Sequence, residues 1–271
     1  MSLVETSWLE KNLDNVKIID CSWHMAQTQR NGFEEYKLQH IPNAIFFDLD
    51  KNSDKDTNLP HMLVKIDEWE KIVSKMGIKE NDKIVIYDNS DVISSCRCWF
   101  NFIYFGHDPK LVNVLNGGFK KWISEKRQIT NEKTIIKVSN YKSFEKNRLV
   151  KNKMEIDQNI NNQNFKVIDA RSLERFRGKV SEPRKGLRSG SIKNSFCVPF
   201  NQCLNNDKTF KNPEELKNIF KTCLKDINEE NIVFSCGSGV TACVLALAYS
   251  LINDKYLPCI YDGSWAEYGL I

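Results

Sequence analysis

The sequence predicts an α/β fold made of two tandem copies of one unit, each a mainly parallel sheet flanked by helices. Three observations predict it. The length of 271 residues allows two domains at ~150 residues apiece. Short apolar runs alternate with amphipathic helical stretches, the pattern of βαβ units. The landmarks of the first half also return, in the same order, in the second.

Taken in order, Val16-Lys17-Ile18-Ile19-Asp20 reads as a short buried strand ending in an acid, and Lys166-Val167-Ile168-Asp169 is its counterpart. About twenty residues later each copy has an apolar strand after a turn, at 40–47 and at 191–200. A helix follows, with Trp69, Ile72, Val73 and Met76 on one face in the first copy and Leu216, Ile219, Phe220 and Cys223 in the second. Spacings of three and four align these side chains for burial. The next strands are Lys83-Ile84-Val85-Ile86-Tyr87-Asp88 and Asn231-Ile232-Val233-Phe234-Ser235-Cys236. Each copy closes on a glycine turn and an aromatic: Asn116-Gly117-Gly118-Phe119 with Trp122, and Asp262-Gly263-Ser264-Trp265 with Tyr268. Asp88 lies 28 positions before Asn116 and Cys236 lies 26 before Asp262, so the copies keep step. The boundaries follow: a first domain at 1–127, a polar Lys/Asn-rich linker at 128–147, and a second domain at 148–271.

Composition excludes several classes. Thirty-nine basic against 35 acidic residues leave a net charge of +4 with both signs interspersed, so no dense polyanion-binding block is expected. A hydrophobic content of 41% is too high for a disordered chain. The longest apolar run, 240–252, is too short to cross a bilayer. The N-terminus has neither a basic region followed by an apolar one nor an Arg-rich, acid-poor leader. Nine cysteines cannot all pair within one chain, and they are scattered through apolar stretches. A reducing, cytoplasmic home is expected, with no nucleic-acid or membrane partner, and a monomer or weak oligomer.

The chemistry points to Cys236. It follows a buried strand and precedes Gly237-Ser238-Gly239-Val240-Thr241 and an apolar helix. A strand, a tight glycine-containing loop and a helix N-terminus form an anion cradle of inward-pointing amides. Such a position favours a nucleophilic thiolate. Cys197, Cys223, Cys243 and Cys259 read instead as buried structural thiols. The first copy has Asp88 where the second has Cys236, and an aspartate cannot act as a sulfur nucleophile, so the first domain is expected to be catalytically inactive. A cysteine phosphatase would need an arginine six positions after its cysteine, where Ala242 stands. Neither Cys21 with His24 nor Cys96 with Cys98 has a second ligand pair at zinc spacing, so no metal and no cofactor are expected.

The Cys236-Gly237-Ser238-Gly239-Val240-Thr241 loop resembles the active-site loop of the mercaptopyruvate sulfurtransferases of the rhodanese superfamily. Further matching segments run along nearly the whole chain: Phe46-Phe47-Asp48-Leu49-Asp50, Leu59-Pro60-His61-Met62-Leu63, Leu115-Asn116-Gly117-Gly118-Phe119, Arg175-Phe176-Arg177-Gly178, Glu182-Pro183-Arg184 and Tyr261-Asp262-Gly263-Ser264-Trp265. The resemblance implies tandem rhodanese-like domains and transfer of a sulfur atom from 3-mercaptopyruvate to Cys236, with a thiol acceptor such as thioredoxin, or cyanide, taking it onward. It implies Arg175 and Arg184 as substrate-binding residues, with the loop residues Gly237, Gly239, Val240 and Thr241. It also implies a proton relay from Ser238 through His61 to Asp50; the alternative is that His61 and Asp50 only order the structure. Arg97 matches a family arginine that either reaches the pocket or pairs with an acid.

The residues themselves bear on the donor. Thiosulfate is a dianion, and its users typically place basic residues after the cysteine, whereas Gly237 and Ser238 are neutral. A monoanionic keto acid suits that weaker field, and arginine offers the planar, multi-donor contact its carboxylate and ketone require. Thiosulfate sulfurtransferase is the alternative within the superfamily, and a non-enzymatic persulfide carrier the alternative outside catalysis. The chain departs from the family at Ser191-Ile192-Lys193-Asn194, at Asn43 and at Tyr268, which are scaffold positions expected to alter local geometry only.

Overall fold

The structure, a computed structural model, describes residues 2–271. It divides into two compact units. The first holds the described residues up to Asp54 with Leu63–Lys146 and Asn206–Thr209; the second holds Lys55–Met62, Asn147–Asn205 and Phe210–Ile271.

The first unit contains β1 (Leu3–Val4), β2 (Lys17–Asp20), β3 (Ala44–Phe46), β4 (Ile84–Tyr87) and β5 (Val112–Leu115), in the order β1-β5-β4-β2-β3. The second contains β6 (Val150–Lys151), β7 (Lys166–Asp169), β8 (Phe196–Cys197), β9 (Ile232–Ser235) and β10 (Ile260–Tyr261), in the order β6-β10-β9-β7-β8. The orders are the same when the copies are matched strand for strand, and every pairing within both sheets is parallel. Parallel sheets are covered on both faces, so their inner strands carry continuous apolar runs. Ile84-Val85-Ile86-Tyr87 and Ile232-Val233-Phe234-Ser235 are accordingly buried at every position.

The helices expected from three-and-four spacing form at Ile66–Lys75 and Pro213–Phe220. The first buries Trp69, Ile72 and Val73, with Met76 at its C-cap. The second starts at an Asn212 capping box with Pro213 in its first turn, and it buries Leu216 and Phe220. Cys223, three residues beyond that helix, and the strand residue Cys197 are half-buried rather than enclosed. Burial still pushes these thiols up, to about 12 for Cys197 and about 11 for Cys223, so both stay protonated near neutral pH.

The expected linker requires correction. Residues 128–146 belong to the first unit: His40 and Thr130 exchange backbone hydrogen bonds, Ser139 N–H donates to Ser74 O at 3.0 Å, and Tyr141 is buried. A Lys/Asn-rich composition described the outward side chains, not the bonded backbone beneath them.

The chain order fixes where a ligand can enter. From β7 the chain moves outward to β8, and from β9 it moves the other way to β10. Loops leaving β7 and β9 therefore diverge and open a crevice at the strand ends, the switch point of an open parallel sheet. Asp169 and Ser235 are register partners at that edge. The segment Ala170-Arg171 leaves from one strand and Cys236 from the other.

Candidate active site

Cys236 sits at the end of β9, 2% exposed, and Gly239 caps the apolar helix Val240–Ser250. Gly239 has φ +75°, a left-handed conformation that glycine adopts without a Cβ penalty. Val240 is buried in the first helical turn and Thr241 half-buried beside it. Cys243, one turn on, donates to Gly239 O at 3.2 Å.

A residue that the sequence reading did not single out holds this loop. Ser264 adopts φ +50°, a region costly for a residue with a Cβ. Its Oγ accepts hydrogen bonds from Cys236 N–H at 3.1 Å and Gly239 N–H at 3.2 Å, and it donates to Tyr261 O at 2.8 Å. Two amides of the expected anion cradle are thus bound to protein oxygen. The first copy has Gly118 at the matching place, with φ +57°, where an added Cβ would meet Asp88 O at 2.6 Å.

The repeat makes Asp88 and Cys236 structural equivalents. Phe119 N–H donates to Asp88 O and Trp265 N–H donates to Cys236 O, each at 2.9 Å. The first copy's cradle is filled by its own anion: the Asp88 carboxylate accepts from Ser90 N–H at 2.8 Å, from Ser90 Oγ at 2.9 Å and from Ser95 N–H, opening the helix Ser95–Tyr104, at 3.0 Å. The second copy offers a thiol at the same place.

Three sequence-predicted residues converge on that thiol's loop within the second unit. His61 is buried, in the left-handed region at φ +63°, and its Nδ1 lies 2.9 Å from Ser238 Oγ. Arg184 donates from Nη2 to the same Oγ at 3.2 Å. Arg175 approaches Gly237 so closely that a Cβ there would lie 3.3 Å from Arg175 Nη2 and 3.6 Å from Arg184 Nη1. Gly237 therefore gives both guanidinium groups access to the loop.

Behind them is a buried ionic network. Arg171, with a side chain 0% exposed, grips Asp169 through Nε at 2.9 Å and Nη2 at 2.6 Å, and donates to Glu182 Oε1 at 2.8 Å. Glu182, with a side chain 1% exposed, accepts from Arg175 Nη2 at 2.5 Å. Burial works against the Arg171 charge, yet Asp169, Glu182 and Cys236 together hold its guanidinium above the ordinary arginine range. Its cation also lies 4.3 Å from the Trp265 ring centre. Neither Arg171 nor Glu182 was singled out from sequence; the one available signal was an arginine two positions beyond a strand-ending acid. The first copy has Ser22 there, donating to Asp20.

Asp50 and Arg97 lie in the first unit. Asp50 is exposed and accepts from Trp23 Nε1 at 2.9 Å; Arg97 is fully buried in the helix Ser95–Tyr104, 6.0 Å from the Phe100 ring centre. Among the described residues, no group of three His, Cys, Asp or Glu could hold a metal ion, and no helix is long and apolar enough to cross a membrane.

Comparison with known proteins agrees with this architecture. The family described as "Rhodanese-like domain" matches residues 5–125 and 153–270. The thiosulfate/3-mercaptopyruvate sulfurtransferase 1, mitochondrial, of Arabidopsis thaliana is 37% identical over 290 residues, covering 98% of this chain and 75% of that protein. The 3-mercaptopyruvate sulfurtransferase of Mus musculus is 34% identical, covering 98% and 91%. Among solved structures, SseA from Escherichia coli, described with the 3-mercaptopyruvate sulfotransferases, superposes with a TM-score of 0.86 at 28% identity, covering 98% of this chain and all of that one.

Proposed function

This chain belongs to the rhodanese family and is a sulfurtransferase, and from that premise we propose that its donor is 3-mercaptopyruvate and its nucleophile Cys236. The observation that carries the choice of donor is the charge count around the loop. Arg171, Arg175 and Arg184 supply three cations, and Asp169 and Glu182 supply two anions that are spent on Arg171 and Arg175. Two of these cations are thus balanced within the protein, and Gly237 and Ser238 add no charge after the cysteine, a weak field that suits a monoanion better than the thiosulfate dianion.

In the proposed reaction the Cys236 thiolate attacks the donor sulfur. The carbon–sulfur bond breaks, its electron pair passes to the methylene carbon as the enolate of pyruvate, and a proton on that carbon completes pyruvate. Cys236 is left as a persulfide. Arg175 and Arg184 hold the carboxylate and ketone, and Gly237, Gly239, Val240 and Thr241 shape the loop around the sulfur. Arg184 donates to Ser238 Oγ, which leaves the hydroxyl hydrogen for His61 Nδ1 or for the substrate. That pair is suited to moving the donor's thiol proton. An acceptor thiolate then attacks the outer sulfur, the persulfide S–S bond breaks, and Cys236 departs as thiolate. Among the described residues no cysteine is in a disulfide, which suits a reducing compartment such as the cytoplasm.

The test gives the protein 3-mercaptopyruvate or thiosulfate with cyanide and follows pyruvate and thiocyanate. A higher kcat/KM for 3-mercaptopyruvate is expected, with a one-sulfur mass gain on the Cys236 peptide after donor treatment. A higher value for thiosulfate overturns the donor, and full activity of Cys236→Ser overturns the site.

A further inference from the structure

We propose that the cationic segment 175–188 is a docking surface for an acidic protein that presents the accepting thiol. The inference rests on the sulfurtransferase reading and names the partner of that site.

The net charge of the whole chain is +4. Residues 175–188 alone hold six cations, Arg175, Arg177, Lys179, Arg184, Lys185 and Arg188, against one acid, Glu182. The interspersed charge expected from composition therefore fails at the one place where sulfur would be exchanged. Glu182 is buried between Arg171 and Arg175 and screens nothing outside; the nearest exposed acid along the chain is Glu174, one residue upstream.

The segment divides into two tiers. Arg175 and Arg184 face the Cys236 loop. Arg177, Lys179 and Lys185 are exposed, and among the described residues no ion pair joins them to an acid. Arg188, also exposed, stacks against Trp265 and Tyr268 at 4.7 and 5.3 Å. A small anion gains little from an exposed cation, because water screens the pair. Several such cations acting together on a large acidic surface raise its encounter rate by about 10- to 1000-fold. The outer tier is thus useful to a macromolecule and nearly useless to the donor.

A protein fits better than a polynucleotide. Val180, 44% exposed, lies among these cations, and Leu270, 58% exposed, is bridged to Leu187. Apolar side chains within a polar rim are the composition of a protein–protein contact. The acceptor must also bring a thiol close to Cys236.

The experiment compares the wild type with the triple variant Arg177→Glu, Lys179→Glu, Lys185→Glu, which leaves Arg175 and Arg184 intact. Binding of reduced, acidic thioredoxin is titrated at low and high salt without any sulfur donor, with transfer RNA as a parallel probe. Turnover with 3-mercaptopyruvate is then measured using thioredoxin, dithiothreitol or cyanide as acceptor. The expected result is salt-sensitive thioredoxin binding that weakens about 10-fold or more in the variant, while dithiothreitol and cyanide turnover change less than about two-fold. Thioredoxin binding unchanged in the variant overturns the proposal, as does an equal loss with dithiothreitol. Salt-sensitive binding of transfer RNA in place of thioredoxin overturns it in favour of a polynucleotide. A wild type inert toward both donors sinks the catalytic reading without touching the binding arm.

Discussion

Glu182→Gln tests the electrostatic argument for the donor directly. Glu182 neutralises the inner arginines: its carboxylate bridges Arg171 and Arg175 at 2.8 and 2.5 Å while 1% exposed. The isosteric amide keeps the shape and one acceptor oxygen but removes the charge, so the local sum around the loop rises by one positive unit. A dianion gains from that unit twice what a monoanion gains. At an effective dielectric of about 20 and a separation of about 8 Å, the extra gain is roughly 2 kcal/mol, or about 30-fold. The assay is the ratio of kcat/KM for thiosulfate to that for 3-mercaptopyruvate, both with cyanide. It is expected to rise about 10- to 30-fold in the variant. Breaking one partner out of a buried ionic group also costs stability, on the order of 3–5 kcal/mol, so a lower melting temperature should accompany the change and the assay is run well below it. An unchanged ratio in a folded variant, or a shift toward 3-mercaptopyruvate, would refute the charge count as the basis of donor choice.

Two further predictions concern single residues. Burial raises the Asp20 carboxyl to about 7 despite donors from Ser22, so the folded first unit holds this proton more tightly than the unfolded chain does. The associated stability is fully present below about pH 4 and is lost as pH rises toward 7; Asp20→Asn should flatten that slope by a few kcal/mol, read from urea unfolding by tryptophan fluorescence, to which the first unit contributes Trp8, Trp23, Trp69, Trp99 and Trp122. A slope unchanged in the variant would show that Asp20 does not set it. His61→Ala should lower kcat with 3-mercaptopyruvate about 100-fold and change the pH profile, and full turnover with an unaltered profile would leave His61 a purely structural role.

How much was legible in advance depended on how local each feature is. The Cys236 loop was readable because its strand, glycines and helix are consecutive, and a thiol at a helix start has a meaning that needs no partner. The Asp88 substitution was readable because the repeat supplies its own alignment. Arg175 and Arg184 came from family resemblance rather than from any pattern in their neighbourhood. Ser264 was hidden inside a glycine turn: nothing in Asp262-Gly263-Ser264-Trp265 says that its hydroxyl will accept two amides from a loop 25 and 28 positions away. The segment 128–147 was misread because polar side chains speak for the solvent face of a segment and not for its backbone bonding.

The sequence by itself determined the duplication, the α/β class and the placement of Asp88 in the first copy where the second has Cys236. All of these follow from periodicity and short-range order, which the chain encodes residue by residue. Only the tertiary structure decided that His61 meets Ser238 across 177 positions, that Glu182 lies between Arg171 and Arg175, and that Arg175 and Arg184 reach Gly237. Those contacts depend on where the loops leaving β7 and β9 diverge, a consequence of strand order and parallel register. Side-chain charge is written in the sequence, but how much of it remains for a substrate is settled only when the fold has chosen each charge's neighbours.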